Sequence, residues 1–350
     1  MKVFKYLLII LSAVVLLGLL LMQNHTVQNK LFERTAKQLL TAEEIFMEDA
    51  LSVAVCGSRS PLPGPNRAET CLLIQAGTSK FIIDLGRGSG DNLQKWQVDY
   101  SDLEAVILSH LHSDHISDLA EIQFQTWLGG RKAPLSVLGP KGTESTVQGF
   151  AQAFKLDSIY RSEHHGAILP IEAYGYDVVE FDGDTNLIFQ NEDTKITAFK
   201  VDHYPVDPSY GFKIEYKDRS IVISGDTIAL EEMVEYSEGV DVLFHEALAK
   251  PLIQRMEKIS DEIGNDVISK VLFDIQDYHA TTIEVAEIAK RSEVGLLVFY
   301  HLIPAPRNYV SEQMFLRGVD DIFKNYHVSD DGSLVSLPSG SDEIILSSID

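Results

Sequence analysis

The hydrophobic and polar positions of this chain divide it into three regions. An apolar run extends from Tyr6 to Met22, and only one serine and one glycine interrupt it. Residues 28–49 are charged and have the spacing of an amphipathic helix. From Leu51 onward, short apolar runs alternate with stretches of helical spacing. The pattern predicts an N-terminal segment over residues 1–23, a helical linker over 24–50 and one folded domain over 51–350.

Both halves of the folded domain contain predicted strands. These strands cover residues 51–57, 71–76, 80–84, 134–138, 195–201, 210–216, 219–225, 240–245 and 295–300. Helical spacing covers residues 114–127, 144–156 and 281–292. Residues 58–65 are too rich in Pro and Gly for regular structure, so we expect a loop there. Two halves, each with several strands and flanking helices, predict an α/β fold with four layers, in which two sheets lie between two layers of helices (αββα).

The apolar N-terminal run has the features of an export signal. Lys2 and Lys5 precede it, and its length is close to what a helix needs to cross a bilayer. No A-x-A-like cleavage site follows, which favours an uncleaved membrane anchor formed by residues 6–22 over a cleaved signal peptide. We therefore expect the folded domain to be exported, to the periplasm or another extracytoplasmic location.

The charge balance bears on the partner. The chain has 29 basic and 52 acidic residues, which gives a net charge of −23. Such a surface repels polyanions, and no cluster of Lys and Arg supplies a basic footprint. We therefore expect a small anionic substrate and no nucleic-acid partner. Cys56 and Cys71 leave two alternatives open, namely a disulfide across neighbouring strands of an exported protein or two buried free thiols.

The candidate chemistry begins directly after the apolar run 105–108, with Ser109-His110-Leu111-His112-Ser113-Asp114-His115. On a turn that leaves a strand, His110 and His112 face one way while Asp114 and His115 face another. This arrangement suits two adjacent metal ions. The remaining candidate residues follow a predicted strand or precede a predicted helix, and they are His203, Asp226, His245, Glu246, His279 and His301. Because strand ends on one rim converge, we expect a single site.

Taken in order, these motifs resemble the metallo-β-lactamase superfamily, in particular its ribonuclease Z and arylsulfatase-like branch. The resemblance covers residues 51–338. The motifs that carry it are Ser109 to His115, His203 followed by Tyr210-Gly-Phe, Ser224-Gly-Asp-Thr, His245-Glu-Ala, Tyr278-His-Ala-Thr and Tyr300-His301. The family usually has serine at the position of Ala280. The resemblance implies the metallo-β-lactamase form of the four-layer sandwich.

The resemblance also implies a site with two zinc ions, although manganese or iron would accept the same donors. The implied metal ligands are His110, His112 and His203 for the first ion, Asp114, His115 and His301 for the second, and Asp226 as the bridge. A hydroxide between the ions would attack the ester. His279, oriented by Glu246, would donate a proton to the leaving group or clamp the substrate oxyanion, and Asp114 counts among the catalytic residues as well. Asp84 is expected to orient a ligand histidine.

The resemblance leaves the substrate to be chosen within the branch. Its nuclease members carry a long basic arm between the positions of His203 and Asp226, where this chain has room only for a short hairpin. We therefore expect an arylsulfatase-like hydrolase of small anionic esters. One alternative is a ribonuclease Z-type tRNA 3′-processing endonuclease or phosphodiesterase, and another is a non-catalytic metal-binding scaffold. Relatives of this kind commonly form homodimers, so a homodimer is also expected.

Overall fold

The computed structural model describes residues 2–41, 44–64 and 66–349. Pro65 of the predicted loop, residues 42 and 43 of the predicted linker, and the terminal Met1 and Asp350 lie outside the described residues. The chain divides into two compact units between Glu44 and Ile45. The first unit contains helix α1 (Lys2–Met22) and helix α2 (His25–Leu39). Within α1, Phe4–Met22 is long and apolar enough to cross a membrane, with a mean hydropathy of 2.6 and no buried residue.

The second unit contains fifteen described strands. They are β1 (Ala50–Gly57), β2 (Cys71–Ala76), β3 (Ser79–Ile83), β4 (Leu103–Ile107), β5 (Leu135–Pro140), β6 (Tyr176–Phe181), β7 (Thr185–Gln190), β8 (Thr194–His203), β9 (Val206–Tyr216), β10 (Arg219–Ile223), β11 (Val242–Leu248), β12 (Leu296–Ile303), β13 (Tyr326–Val328), β14 (Ser333–Pro338) and β15 (Ile345–Ser348). Strands β15-β14-β1-β2-β3-β4-β5-β6 form one sheet in that order. Strands β13-β12-β11-β10-β9-β8-β7 form the other.

Ten further α-helices lie between or after these strands. They are α3 (Ser89–Lys95), α4 (Ser113–Ile116), α5 (Leu119–Leu128), α6 (Thr143–Ala153), α7 (Lys155–His165), α8 (Glu231–Ser237), α9 (Lys250–Glu262), α10 (Asp266–Asp274), α11 (Thr282–Arg291) and α12 (Tyr309–Phe315). Short 3₁₀ turns follow α7 and α10, the latter at Ile275–Asp277.

The alternating directions of the side chains along each strand explain how the layers pack. Successive strand residues point to opposite faces of a sheet. On β1, Leu51 and Val53 belong to the core between the two sheets, whereas Ala54 and Cys56 pack against the helices that cover the first sheet. A third core lies between the second sheet and α8, α11 and α12. The predicted four-layer αββα sandwich is therefore confirmed.

The predicted helix over residues 114–127 is wrong in one respect, because it is two helices, α4 and α5. The break lies at Asp118. Its backbone N–H donates to the carbonyl of Leu85, at 2.9 Å, and not to a carbonyl of the preceding turn. Its carboxylate accepts hydrogen bonds from the N–H groups of Gly88 and Gly90. These tertiary contacts outweigh the local helical spacing.

The two cysteines are joined in a disulfide. Cys56 lies on β1 and Cys71 on β2, which pair antiparallel, and 15 positions separate the two residues along the chain. Of the two alternatives that the sequence left open, the structure has the disulfide. It closes the base of the loop that contains residues 58–64, which reaches the candidate site.

Candidate metal centre and active site

The candidate site lies where the ends of the two sheets meet. The first sheet contributes the segment after β4, with His110 on the turn, the exposed His112, and α4. The second sheet contributes the end of β8, the turn after β10, and β12. All seven predicted ligands come together in this cluster, which includes His203, Asp226 and His301 from the second sheet.

One carboxylate oxygen of Asp226 lies at the centre of the cluster. Its Oδ2 atom is 3.3 Å from the Nε2 atoms of both His115 and His301. The same oxygen is 3.9 Å from Nε2 of His203 and 4.0 Å from Nε2 of His110. Asp226 thus faces imidazoles from both predicted ligand groups, which is the position that a bridging carboxylate requires.

The donor atoms of the cluster fit a metal ion. The ligand atoms of the group His110, His112 and His203 lie within 4.8 Å of one another, and so do those of the group Asp114, His115 and His301. Among the described residues, the buried Nε2 atoms of His110 and His115 and Oδ1 of Asp226 have no hydrogen-bond partner. An unpaired buried polar atom costs about 1–3 kcal/mol. Converging imidazole and carboxylate donors of this kind suit zinc.

Contacts outside the cluster orient the imidazole rings. Nδ1 of His115 donates to Oδ2 of Asp84 at 2.8 Å, as predicted for Asp84, and Nδ1 of His203 donates to the carbonyl of Tyr278 at 3.0 Å. Asp84 also accepts hydrogen bonds from the N–H and the hydroxyl of Ser109. With their Nδ1 protons engaged, His115 and His203 direct Nε2 towards Asp226, as metal-binding histidines do.

Unusual backbone conformations place two of the central side chains. His301 has a φ of 44°, and the pairing of β11 with β12 shifts by one residue there, because Glu246 pairs with Tyr300 whereas Ala247 pairs with Leu302. This bulge turns His301 into the site. Before Asp226, Gly225 has a φ of 62°, and a Cβ atom there would lie 2.2 Å from the carbonyl oxygen of Tyr210. Only glycine fits that turn.

Burial keeps the imidazoles of the first group neutral. Burial, reinforced by nearby His115, lowers the pKa of His110 well below its ordinary value. Burial likewise lowers the pKa of His112 and that of His203, although Asp226 opposes the effect. A neutral imidazole has a free lone pair, which is the form that binds a metal ion.

In the second group, neighbouring carboxylates affect the pKa values of the histidines more than burial does. Burial opposes protonation of His115, but Asp226, Asp84 and Asp114 together outweigh it and raise the pKa of His115 well above its ordinary value. Burial is outweighed in the same way at His301, whose pKa is raised chiefly by Asp226. Burial of Asp114 is in turn outweighed by His115 and His301, which lower its pKa to about 2. Because these carboxylates stabilise positive charge on the imidazoles, they also favour a cation bound at the same place.

His279 and Glu246 form a buried pair beside the cluster. Oε1 of Glu246 accepts hydrogen bonds from Nδ1 of His279 at 2.8 Å, from the N–H of Ala280 at 3.2 Å and from the N–H of Thr227 at 3.3 Å. Glu246 is fully buried, whereas His279 lines a cavity. The partner of His279 is therefore Glu246. The serine that the family usually has at position 280 is not needed to cap α11, because Thr281 caps it.

His245 lies outside the cluster. Successive residues of a strand point to opposite faces, so its ring is on the face of β11 opposite to Glu246. Its Nδ1 atom donates to the carbonyl of Glu246 at 2.7 Å. His245 thus has a structural position.

The cavity over the cluster has a volume of about 250 Å³ and two unlike sides. The polar side is formed by His112, Ser113, Asp114, Asp226, His279 and His301. The other side is mostly apolar and consists of Ser60, Pro61, Leu62, Val271, Ile275, Tyr278 and Ile303. Sequence reasoning missed this second side. Its residues lie in the loop after β1, on α10 and just after it, and at the end of β12, and no spacing of chemical groups marks them.

Comparison with known proteins agrees with this geometry. The model of the family described as "Anti-Pycsar protein Apyc1" matches residues 66–256, more than half of the chain. The chain is 33% identical over 261 residues to a protein named ribonuclease Z from Mycobacterium bovis (strain BCG / Pasteur 1173P2), which covers 73% of this chain and 87% of the relative.

Solved structures show the same fold. The metallo-β-lactamase-fold protein YhfI from Bacillus subtilis superposes with a TM-score of 0.60 at 20% identity, over 82% of this chain and 100% of that one. Human tRNase Z, short form, superposes with a TM-score of 0.58 at 20% identity, over 82% and 99%. The fold, the ordered motifs and the sequence relatives agree. The chain belongs to the ribonuclease Z branch of the metallo-β-lactamase-fold metallo-hydrolases, and it also matches the family described as anti-Pycsar protein Apyc1.

Proposed function

We propose that this protein is a metal-dependent phosphodiesterase with two metal ions in its site. The position of Asp226 carries the proposal, because its Oδ2 atom faces four imidazole Nε2 atoms at 3.3–4.0 Å. The proposed ligands are those inferred from the sequence: His110, His112 and His203, then Asp114, His115 and His301, with Asp226 between the two groups. Imidazole and carboxylate donors favour zinc, and manganese or iron would accept the same donors.

Two metal ions, when bound, supply an activated water and stabilise the negative charge that develops on the phosphoryl group. The residues of the chain do the rest. In hydrolysis, the oxygen of water forms a bond to phosphorus, the bond from phosphorus to the ester oxygen breaks, and that oxygen leaves with a proton. Glu246 accepts a hydrogen bond from Nδ1 of His279 and so orients the ring, and Nε2 would donate a proton to the leaving oxygen.

The relatives favour a phosphodiester over the sulfuric ester that the sequence led us to expect. They are named ribonuclease Z and tRNase Z, and those names refer to nucleic acid, which conflicts with the expectation that nucleic acid is excluded. Processing of RNA ends is therefore the first candidate activity. Two features of the chain itself favour a second candidate, a small diester: the net charge is −23, and no described residue that lines the cavity is Lys or Arg.

The test compares three substrates with the full chain, before and after metal loading. They are bis-p-nitrophenyl phosphate, a tRNA precursor with a 3′ extension, and p-nitrophenyl sulfate. We expect turnover of the diester that a chelator abolishes and zinc restores. Faster cleavage of the precursor would select the RNA-processing candidate. Turnover of the sulfate alone would overturn the proposal, and stoichiometric zinc without turnover of any substrate would favour a scaffold.

The proposal extends to the location of the enzyme. The 19-residue segment Phe4–Met22 supports a membrane anchor, and the disulfide between Cys56 and Cys71 supports an oxidising, extracytoplasmic compartment. Fractionation of cells that express the full chain tests both, with a thiol-reactive probe applied before and after reduction. Soluble protein, or cysteines that react without reduction, would contradict this location.

A further inference from the structure

The apolar side of the cavity continues outward along α10. Val267 and Val271 are four positions apart, Ile268 and Val271 are three apart, and Val271 and Ile275 are four apart. Side chains at these spacings lie on one face of a helix. Ile275 is the first residue of the 3₁₀ turn that follows α10, and we refer to Val267, Ile268, Val271 and Ile275 together as the α10 stripe.

Exposure along the α10 stripe falls towards the cavity. Val267 is 73% exposed, Ile268 42%, Val271 41% and Ile275 only 7%. Val271 and Ile275 also line the cavity over the candidate metal centre, on the same apolar side as Leu62. The stripe is therefore a continuous apolar path from solvent to the site of reaction, and not an isolated exposed patch. A contiguous exposed apolar surface of this kind marks a binding surface.

The position of the stripe restricts what covers it. A ligand that lies along it ends at the metal centre, so one end of that ligand is the group on which the site acts. The other end must be apolar, because the four side chains of the stripe offer no hydrogen bond or charge. No described residue that lines the cavity is Lys or Arg. A positively charged side chain of the cavity therefore does not hold the end of the ligand that lies away from the metal centre.

We propose that the site takes amphiphilic phosphodiesters, with the phosphate at the metal centre and an alkyl or acyl chain along the α10 stripe. This inference rests on the proposed phosphodiesterase activity and specifies its substrate class. The N-terminal helix, long and apolar enough to cross a membrane, would hold the enzyme at a lipid surface, where such esters are concentrated.

A chain-length series tests the inference with the full chain in one detergent, loaded with zinc. The substrates are the methyl, butyl and octyl diesters of p-nitrophenyl phosphate, and the release of p-nitrophenolate reports cleavage of the same bond in each. We expect kcat/KM for the octyl ester to exceed that for the methyl ester on the order of 10–100-fold. This factor corresponds to burial of about two to three methylene groups.

Two variants and a matched control locate the effect. Val267→Asp and Val271→Asp place a charge on the α10 stripe, and we expect each to reduce the octyl-to-methyl ratio towards one. Leu156→Asp changes an apolar side chain on α7 whose exposure, 62%, lies between those of Val271 and Val267 and which is outside the cavity lining, and it should keep the ratio of the parent. Comparison of ratios in the same detergent removes the effect of partitioning into micelles.

The outcomes separate this inference from the phosphodiesterase proposal. If even the methyl ester is not hydrolysed, the phosphodiesterase proposal fails. If the methyl ester is hydrolysed but the parent shows no dependence on chain length, or if both stripe variants keep that dependence, only the inference about amphiphilic substrates fails. A parent that sediments as a dimer, becomes monomeric in Val271→Asp and shows no preference for the octyl ester would assign the stripe to a second copy of the chain, which also overturns the inference.

Discussion

The two sides of the cavity over the candidate metal centre are built in opposite ways. Most of the polar side comes from segments at the ends of strands in both sheets, and Asp226 and His301 on this side are at most 2% exposed. The apolar side comes from a loop and from α10, and Val271 on it is 41% exposed. Rigid sheets fix the groups that perform the chemistry, whereas peripheral elements contact the rest of the substrate. Substitutions on the polar side should therefore remove activity, and those on the apolar side should change which substrate is preferred.

The largest expected effect is that of Asp226→Ala on the polar side. Its Oδ2 atom faces imidazoles of both ligand groups, so we expect the variant to lose bound metal and to lose kcat by about 10³-fold or more. Metal analysis of the purified protein and hydrolysis of bis-p-nitrophenyl phosphate measure both losses. Asp193→Ala, at an exposed turn, is the matched control and should keep both. An Asp226→Ala variant with full metal content and full activity would show that Asp226 does not bind the metal ions.

The second-largest expected effect distinguishes the proposed proton donor, His279, from the proposed metal ligands on the same side of the cavity. His279→Gln should keep its zinc and lose kcat by about 10²-fold for a phenyl ester, whose leaving oxygen needs a proton. The loss should be smaller for a p-nitrophenyl ester, because p-nitrophenolate is a weak base. Glu246→Gln should lose about tenfold, since it acts through His279. An equal loss with both leaving groups would make His279 an oxyanion clamp and not a proton donor.

The polar side was also the side that the sequence revealed. His110 to His115 form a dense motif, and the later ligands each follow an apolar run, so both spacing and order were visible in the chain. The bulge at His301 was not visible, because a positive φ at a histidine depends on the pairing of β12 with β11. The apolar side was hidden for another reason. Leu62 and Val271 are ordinary residues in sequence, and only the tertiary fold brings them to the metal centre.

On the apolar side, the strongest effect should come from the disulfide. The double variant Cys56→Ser and Cys71→Ser opens the loop that carries Pro61 and Leu62 to the cavity. Closure of a loop of 15 residues is worth about 3 kcal/mol, so the free energy of unfolding should fall by roughly that amount. Because the metal ligands lie elsewhere, we expect KM to rise and kcat to change little.

Chemical denaturation and steady-state kinetics, each with and without a reductant, measure the effects of opening the disulfide. Reduction should destabilise the parent and leave the double variant unchanged, which provides the internal control. Loss of zinc from the double variant would contradict the separation of the two sides, because it would mean that the loop also supports the metal centre.

The smallest effect is expected from a substitution of Arg59, which lies in the same loop and stabilises it through hydrogen bonds. Its Nη2 atom lies 3.1 Å from Oε1 of Glu69, its Nε donates to the carbonyl of Arg67 at 2.7 Å, and its Nη1 donates to the carbonyl of Ser60 at 2.9 Å. A lysine cannot reproduce this planar set of donors. Arg59→Lys should therefore lower the free energy of unfolding by about 1–2 kcal/mol and raise KM with little change in kcat.

Arg87→Lys is the matched control for Arg59→Lys. Arg87 also pairs with Glu69, at 2.9 Å, but its side chain is 68% exposed, so the pair contributes less than about 1 kcal/mol. Because Arg59 contacts the loop and not the metal ligands, its loss should change KM for the octyl and methyl diesters by different factors. If Arg59→Lys lowers kcat equally for every ester while KM stays constant, the loop acts on the metal centre. The polar and apolar sides of the cavity would then not act independently, although different elements of the fold form them.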